Sequence, residues 1–117
     1  MVRVESSFTL DQLKEFSQAK YPGFTSKSRA HVNSYPRQIA SYIAIEAGYG
    51  YTQVARMINV THPTVIFSKQ RVYEQLMDKN EKFCKMYTEF VEDFNNYLKT
   101  NTIELPTTVN EGESVNA

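Results

Sequence analysis

The chain has a single cysteine, Cys84, among 117 residues, which excludes an internal disulfide and leaves an oxidising compartment neither required nor implied. It has no apolar run approaching the roughly 18 residues that a membrane-spanning helix needs. The opening MVRVESSFTLDQ also lacks the apolar stretch of a secretory signal. The expectation is a soluble, cytoplasmic protein with no membrane partner. Two histidines, His31 and His62, and one cysteine are too few for a zinc site, because the central region lacks the carboxylates that would complete it. No Ser or Cys nucleophile is visibly partnered with a His and an acid, so no catalysis, metal or cofactor is expected. The length suits one core and one task, and is too short for a catalytic domain beside a binding domain.

Net charge is also missing: 13 Lys and Arg balance 13 Asp and Glu, which alone argues against a strongly basic nucleic-acid binder. The distribution says otherwise. From Lys20 to Tyr73 seven basic residues (Lys20, Lys27, Arg29, Arg37, Arg56, Lys69, Arg71) stand against one acid, Glu46. From Leu76 to Ala117 four lysines stand against eight acids. A surface that serves only solubility mixes both signs, so the middle of the chain is the candidate phosphate-binding surface and the acidic end is not.

Thr9 with Gln12 three residues later fits a capping box, and Leu10, Leu13 and Phe16 line one face of a first helix ending near Ala19. Tyr21-Pro22-Gly23 ends it. The segment FTSKSRAHVNSY has no sustained period and alternates Lys27, Arg29 and His31, so a basic loop is expected there. Pro36 suits the first turn of a second helix, striped by Ile39, Ala40, Ile43, Ala44 and Ala47 and closed by Gly48.

Residues 52–65, TQVARMINVTHPTV, have the spacing of a helix-turn-helix, which would occupy about residues 52–77. Ala55 falls where two helices cross closely. Asn59 falls where the turn needs a left-handed backbone. Val54 and Ile58 face inward together, Val60 closes the turn on the apolar side, and Val65, Val72 and Leu76 seat the second helix on the core. Thr52 is expected to cap the first helix and Thr61 or His62 the second, whose Pro63 is tolerable only in the first turn. Polar Thr64, Ser68 and Arg71 recur on another face, where base or phosphate contacts would be made.

A further amphipathic stretch runs from about Glu81 to Lys99, with Phe83, Tyr87, Phe90 and Phe94 recurring every three or four residues. These aromatics exceed what one small core obviously needs and must be covered by something. Intramolecular packing is the simpler answer. A second copy would also pair two half-sites on DNA, so a weak homodimer through Phe83, Tyr87, Phe90 and Phe94 is the expectation. Residues 1–100 then form one helical domain, and 101–117 form a disordered acidic tail.

The string PRQIASYIAIEAGYGYTQVARMINVTHPTVIFSKQRV from Pro36 to Val72, with SKSR at 26–29, resembles the C-terminal DNA-binding domain of the bacterial replication initiator DnaA, a Trp-repressor-like helix-turn-helix. The resemblance rests on Pro-Arg-Gln opening the long helix, its Ile and Ala stripe, His-x-Thr-Val starting the recognition helix, and the basic Arg71. It implies an all-α fold that binds double-stranded DNA sequence-selectively, in replication initiation or its control. It implies that Lys27 and Arg29 approach phosphates or the minor groove and that Arg37 meets backbone phosphates. Thr61, His62, Pro63 and Thr64 fall where the family presents Asp-His-Thr-Thr to the major groove, with Ser68 and Arg71 further along. Thr61 replaces an acid and Pro63 a hydroxyl donor, so the family's preferred site need not be preserved. Asn59 and Val60 replace a glycine-rich turn, and Tyr35 stands where a basic residue is common. No glycine-rich phosphate loop precedes the motif, so the chain is expected neither to bind ATP nor to melt an origin by itself. Two rivals share these residues: a transcriptional regulator of phage or mobile-element type, and a protein-interaction module that does not bind DNA.

Overall fold

The computed structural model describes residues 2–24 and 31–104, and these form five helices joined by short turns. They are α1 (Leu10–Lys20), α2 (His31–Glu46), α3 (Tyr51–Ile58), α4 (His62–Met77) and α5 (Glu81–Glu104). The all-α class expected from the sequence is therefore correct. No described helix is long and apolar enough to cross a membrane.

Local chemistry sets the boundaries. The Thr9 hydroxyl accepts from the Gln12 N–H at 3.1 Å and the Gln12 side chain accepts from the Thr9 N–H at 2.8 Å, which is the expected capping box. Asn80 caps α5 by accepting from the Phe83 N–H at 3.0 Å. Three helices end in the same way, on a residue of positive φ: Gly48 (101°) after α2, Asn59 (57°) after α3 and Lys79 (56°) after α4. At each one the following N–H reaches back five residues, Tyr49 to Ala44 at 3.1 Å, Val60 to Ala55 at 2.9 Å and Asn80 to Gln75 at 3.2 Å. This pairing satisfies carbonyls that the helix end would otherwise strand.

Helix α2 lies at the centre and packs against all four others. Its stripe of Ile39, Ala40, Ile43 and Ala44 is at most 5 % exposed, and the two alanines let neighbouring helices approach closely; Ala47, expected in the same stripe, lies past the helix end at Glu46 and is exposed. Its start differs from the sequence reading. The helix begins at His31 and carries Pro36 on its second turn, buried. Proline there forgoes one backbone hydrogen bond, and burial of its ring and of neighbouring Tyr35 offsets that loss. Only residues before His31 remain of the expected loop, and 25–30 lie outside the described residues.

The aromatic face of α5 turns inward. Phe83, Tyr87, Phe90 and Phe94 are 0, 5, 0 and 0 % exposed, which overturns the expected dimer contact through them. Phe16 of α1 meets Phe90, Phe94 and Tyr97 with ring centroids 5.4, 5.1 and 5.4 Å apart. Tyr35 of α2 meets Phe83 edge-on at 5.0 Å. Helix α5 extends to Glu104, so the first residues assigned to a tail are helical. The rest of that segment, 105–117, lies outside the described residues.

An extended N-terminal strap completes the core. Val2 and Val4 pack partly against it, and Phe8 is buried with its ring 5.2 Å from that of Phe94. Asn95 of α5, itself buried, holds the strap by both halves of its amide. Its Oδ1 accepts from the Glu5 N–H and its Nδ2 donates to the Arg3 carbonyl, each at 2.9 Å. The Tyr49 hydroxyl donates to the Phe8 carbonyl. On the other side, α5 is tied to α1 by Tyr97 donating to Glu15 at 2.7 Å and by Lys20 paired with Asp93 at 2.6 Å.

Candidate nucleic-acid interface

Helices α3 and α4 are joined by a short turn at Asn59 and pack against each other. Val54, Ala55, Met57 and Ile58 bury one face of α3, and Val65, Ser68, Val72 and Gln75 bury one face of α4. Asn59 takes the left-handed backbone at φ 57° and ψ 51°. Its N–H donates to Arg56 at 3.3 Å while the Val60 N–H donates to Ala55, so the chain reverses within three residues and Val60 turns back onto the core. The cap of α3 differs from the expectation: Gly50 occupies it, with the Gln53 side chain accepting from its N–H at 3.0 Å, and Thr52 lies inside the helix.

Thr61 occupies the N-cap of α4 with extended backbone, as expected, but its hydroxyl caps no backbone N–H. It is hydrogen-bonded instead to the Thr64 hydroxyl at 2.9 Å. Pro63 lies in the first turn, where a missing N–H leaves no helical bond unmade. The His62 ring stands edge-on to the Tyr51 ring at 5.4 Å, which fixes its bearing from the start of α3. Thr61, His62, Pro63 and Thr64 are all exposed, forming a contiguous patch of two hydroxyls, an imidazole and an apolar ring. Between Glu46 and Glu74 the sequence contains no acid.

The remaining site residues divide. Arg71 is exposed on the same flank as Thr64, seven residues on, with only a long 3.9 Å approach to Glu74. Ser68 is a correction: at 5 % exposure it belongs to the buried face, since it is three residues after Val65 and four before Val72. Arg37 is half-buried and donates to the carbonyls of Gly23 and Phe24, both at 3.4 Å, and burial lowers its pKa. It pins the turn that leads into 25–30. Lys27 and Arg29 lie outside the described residues.

Two features escaped the sequence reading. Ile66 and Phe67 are 46 and 61 % exposed on α4 directly after the Thr61–Thr64 patch. Their apolar character reads as core in a sequence, yet the turn phase set by Val65 points them outward. Gln75 is buried on the core stripe of α4, where its spacing from Val72 could have placed it. Among the described residues no group of three or more His, Cys, Asp or Glu is placed to hold a metal. No protein-family model matches the chain, and the curated proteins searched give no match to it.

Proposed function

We propose that the chain binds double-stranded DNA sequence-selectively through α3, the Asn59 turn and α4, in the manner of the DnaA DNA-binding domain that its sequence resembles, and serves replication initiation or its control. The observation that carries this reading is the exposed, acid-free start of α4, Thr61 to Thr64, held on a turn whose backbone fixes the helix against the core. His62 and the two threonine hydroxyls offer donors and acceptors to base edges, and Pro63 offers an apolar ring suited to a thymine methyl. Lys27, Arg29, Arg37 and Arg71 supply phosphate contacts, which position the protein without reading sequence. Arg37 also braces the turn at Gly23 and Phe24. Tyr35, where the resembling family favours a basic residue, serves instead to dock α5 through Phe83.

A salt titration of binding to mixed-sequence duplex tests the reading. Four phosphate contacts give a slope of log K against log salt of about −3.6, or roughly a hundredfold loss for a fourfold rise in salt. Replacing Lys27 and Arg29 together with Ala should lower that slope by about 2 and weaken all duplexes alike. No affinity at any salt would sink the proposal.

A further inference from the structure

Among the described residues the exposed large apolar side chains are four, and all stand on α4: Ile66, Phe67, Tyr73 and Met77, at 46, 61, 55 and 64 % exposure. They share the face opposite the buried Val65–Ser68–Val72–Gln75 stripe. Along that face Pro63, Ile66, Gln70, Tyr73 and Met77 follow one another at spacings of three and four. This is the seam by which one helix packs lengthwise on another. The exposed face is symmetric about Gln70 at two pairs of positions, while Ile66 has the acid Glu74 as its counterpart. Phe67 and Tyr73 lie three residues to either side of Gln70, and Pro63 and Met77 seven to either side.

We propose that this face of α4 pairs with the same face of a second copy, the two helices antiparallel about a twofold axis at Gln70. Phe67 then lies against the partner copy's tyrosine at 73, Pro63 against its methionine at 77, and the two Gln70 amides meet at the axis, where each can donate to and accept from the other. A single polar residue in an apolar seam fixes register. The Gln70 amide now reaches only Glu74, at 3.3 Å on the exposed surface.

The area available sets the strength. Large side chains bury roughly 150–250 Å² each when fully covered, so four that are half exposed offer about 400–500 Å² per copy and about 900 Å² for the pair. That lies near the roughly 1,000 Å² lower limit of specific interfaces and below the 1,200 Å² or more of tight ones, so the association is weak and concentration-dependent. DNA does not cover the whole stripe. Met77 stands 15 residues and about 22 Å along the helix from His62, beyond a major groove about 12 Å wide entered by the start of α4.

Sedimentation equilibrium of the full chain over a wide concentration range, without DNA, tests the pairing. A monomer when dilute and a dimer when concentrated are expected. Tyr73→Glu and Phe67→Glu should each weaken association by roughly tenfold or more, with circular dichroism and melting unchanged because both positions are exposed. Gln70→Glu sets two carboxylates face to face, so it should dissociate the dimer at neutral pH and restore it as they protonate, while Gln70→Leu should tighten it. A monomer at every concentration, or a dimer indifferent to Tyr73→Glu and Gln70→Glu, would overturn the proposal. One consequence rests on the DNA reading: Pro63 belongs both to the Thr61–Thr64 patch and to the seam, so adding mixed-sequence duplex should convert dimer into DNA-bound monomer. A dimer that binds duplex intact would overturn that exclusion. A chain that pairs but ignores duplex at every salt would instead sink the DNA reading while supporting the pairing.

Discussion

Asn59 connects the fold to the proposed site, and replacing it separates backbone conformation from side-chain contact. At φ 57° and ψ 51°, a residue with an ordinary side chain meets steric cost of roughly 1–2 kcal/mol, which Asn partly escapes and Gly avoids. Asn59→Ala should therefore destabilise by about 1 kcal/mol, and Asn59→Val, β-branched, by about 2 kcal/mol. Asn59→Gly removes the steric term but adds freedom to the unfolded chain worth roughly 0.5–1 kcal/mol, so the net change should be within about 0.5 kcal/mol of zero. Urea denaturation followed by circular dichroism resolves these differences, and each kcal/mol should move the melting midpoint by about 3–6 °C for a chain of this size. The required order is Gly and Asn together, then Ala, then Val. If Asn59→Gly proved less stable than Asn59→Ala, the left-handed turn would not be what this residue contributes, and the placement of α4 would need another explanation.

Other perturbations test the remaining core. Asn95→Leu removes both bonds to the strap and should cost about 1–3 kcal/mol, with hydrogen exchange accelerated at Glu5 before the global transition. Phe90→Glu places an uncompensated charge among buried rings and should unfold the chain, while Phe90→Ala should cost about 3–5 kcal/mol; a folded, merely dissociated Phe90→Glu protein would restore the dimer contact that burial excludes. Burial, with nearby carboxylates acting on Tyr21 and the Glu15 hydrogen bond on Tyr97, pushes the phenols of Tyr21, Tyr87 and Tyr97 up to about 12. Their unfolded counterparts ionise near 10, so this stability is complete below about pH 10 and is lost as pH rises towards 12, because the unfolded chain releases its protons first. Denaturation midpoints across that window should fall, less steeply in Tyr97→Phe; an unchanged slope in that variant would exclude the Tyr97 contribution.

What the sequence made legible was local. The Thr9–Gln12 box, the Ile and Ala stripe of α2 as far as Ala44, the Asn59 turn and the place of Thr61 at the start of α4 all depend on residues within a few positions of each other. The inward orientation of Ser68 was equally local, since its place between Val65 and Val72 fixes its face, but its polarity suggested the opposite. The start of α2 was obscured by Pro36, which marks a first turn more often than the buried second turn it occupies here. The strap was not legible at all, because Asn95 and Glu5 are 90 residues apart and an amide's partners at that separation are set only by the assembled core. The same holds for Arg37, whose guanidinium serves two carbonyls across 13 and 14 residues. The destination of the α5 aromatics could not be read from periodicity, since an amphipathic helix shows that it must be covered and not by what.

The central claim is that the exposed start of α4 reads base edges, and selection of bound sequences from a random duplex pool tests it most directly. The wild-type chain should enrich a short defined sequence. His62→Ala and Thr64→Ala, still folded by circular dichroism, should lose about 1–3 kcal/mol of that preference while keeping their affinity for mixed-sequence duplex. Enrichment of no sequence by the folded wild-type chain, or the same sequence enriched equally by both variants, would contradict the account.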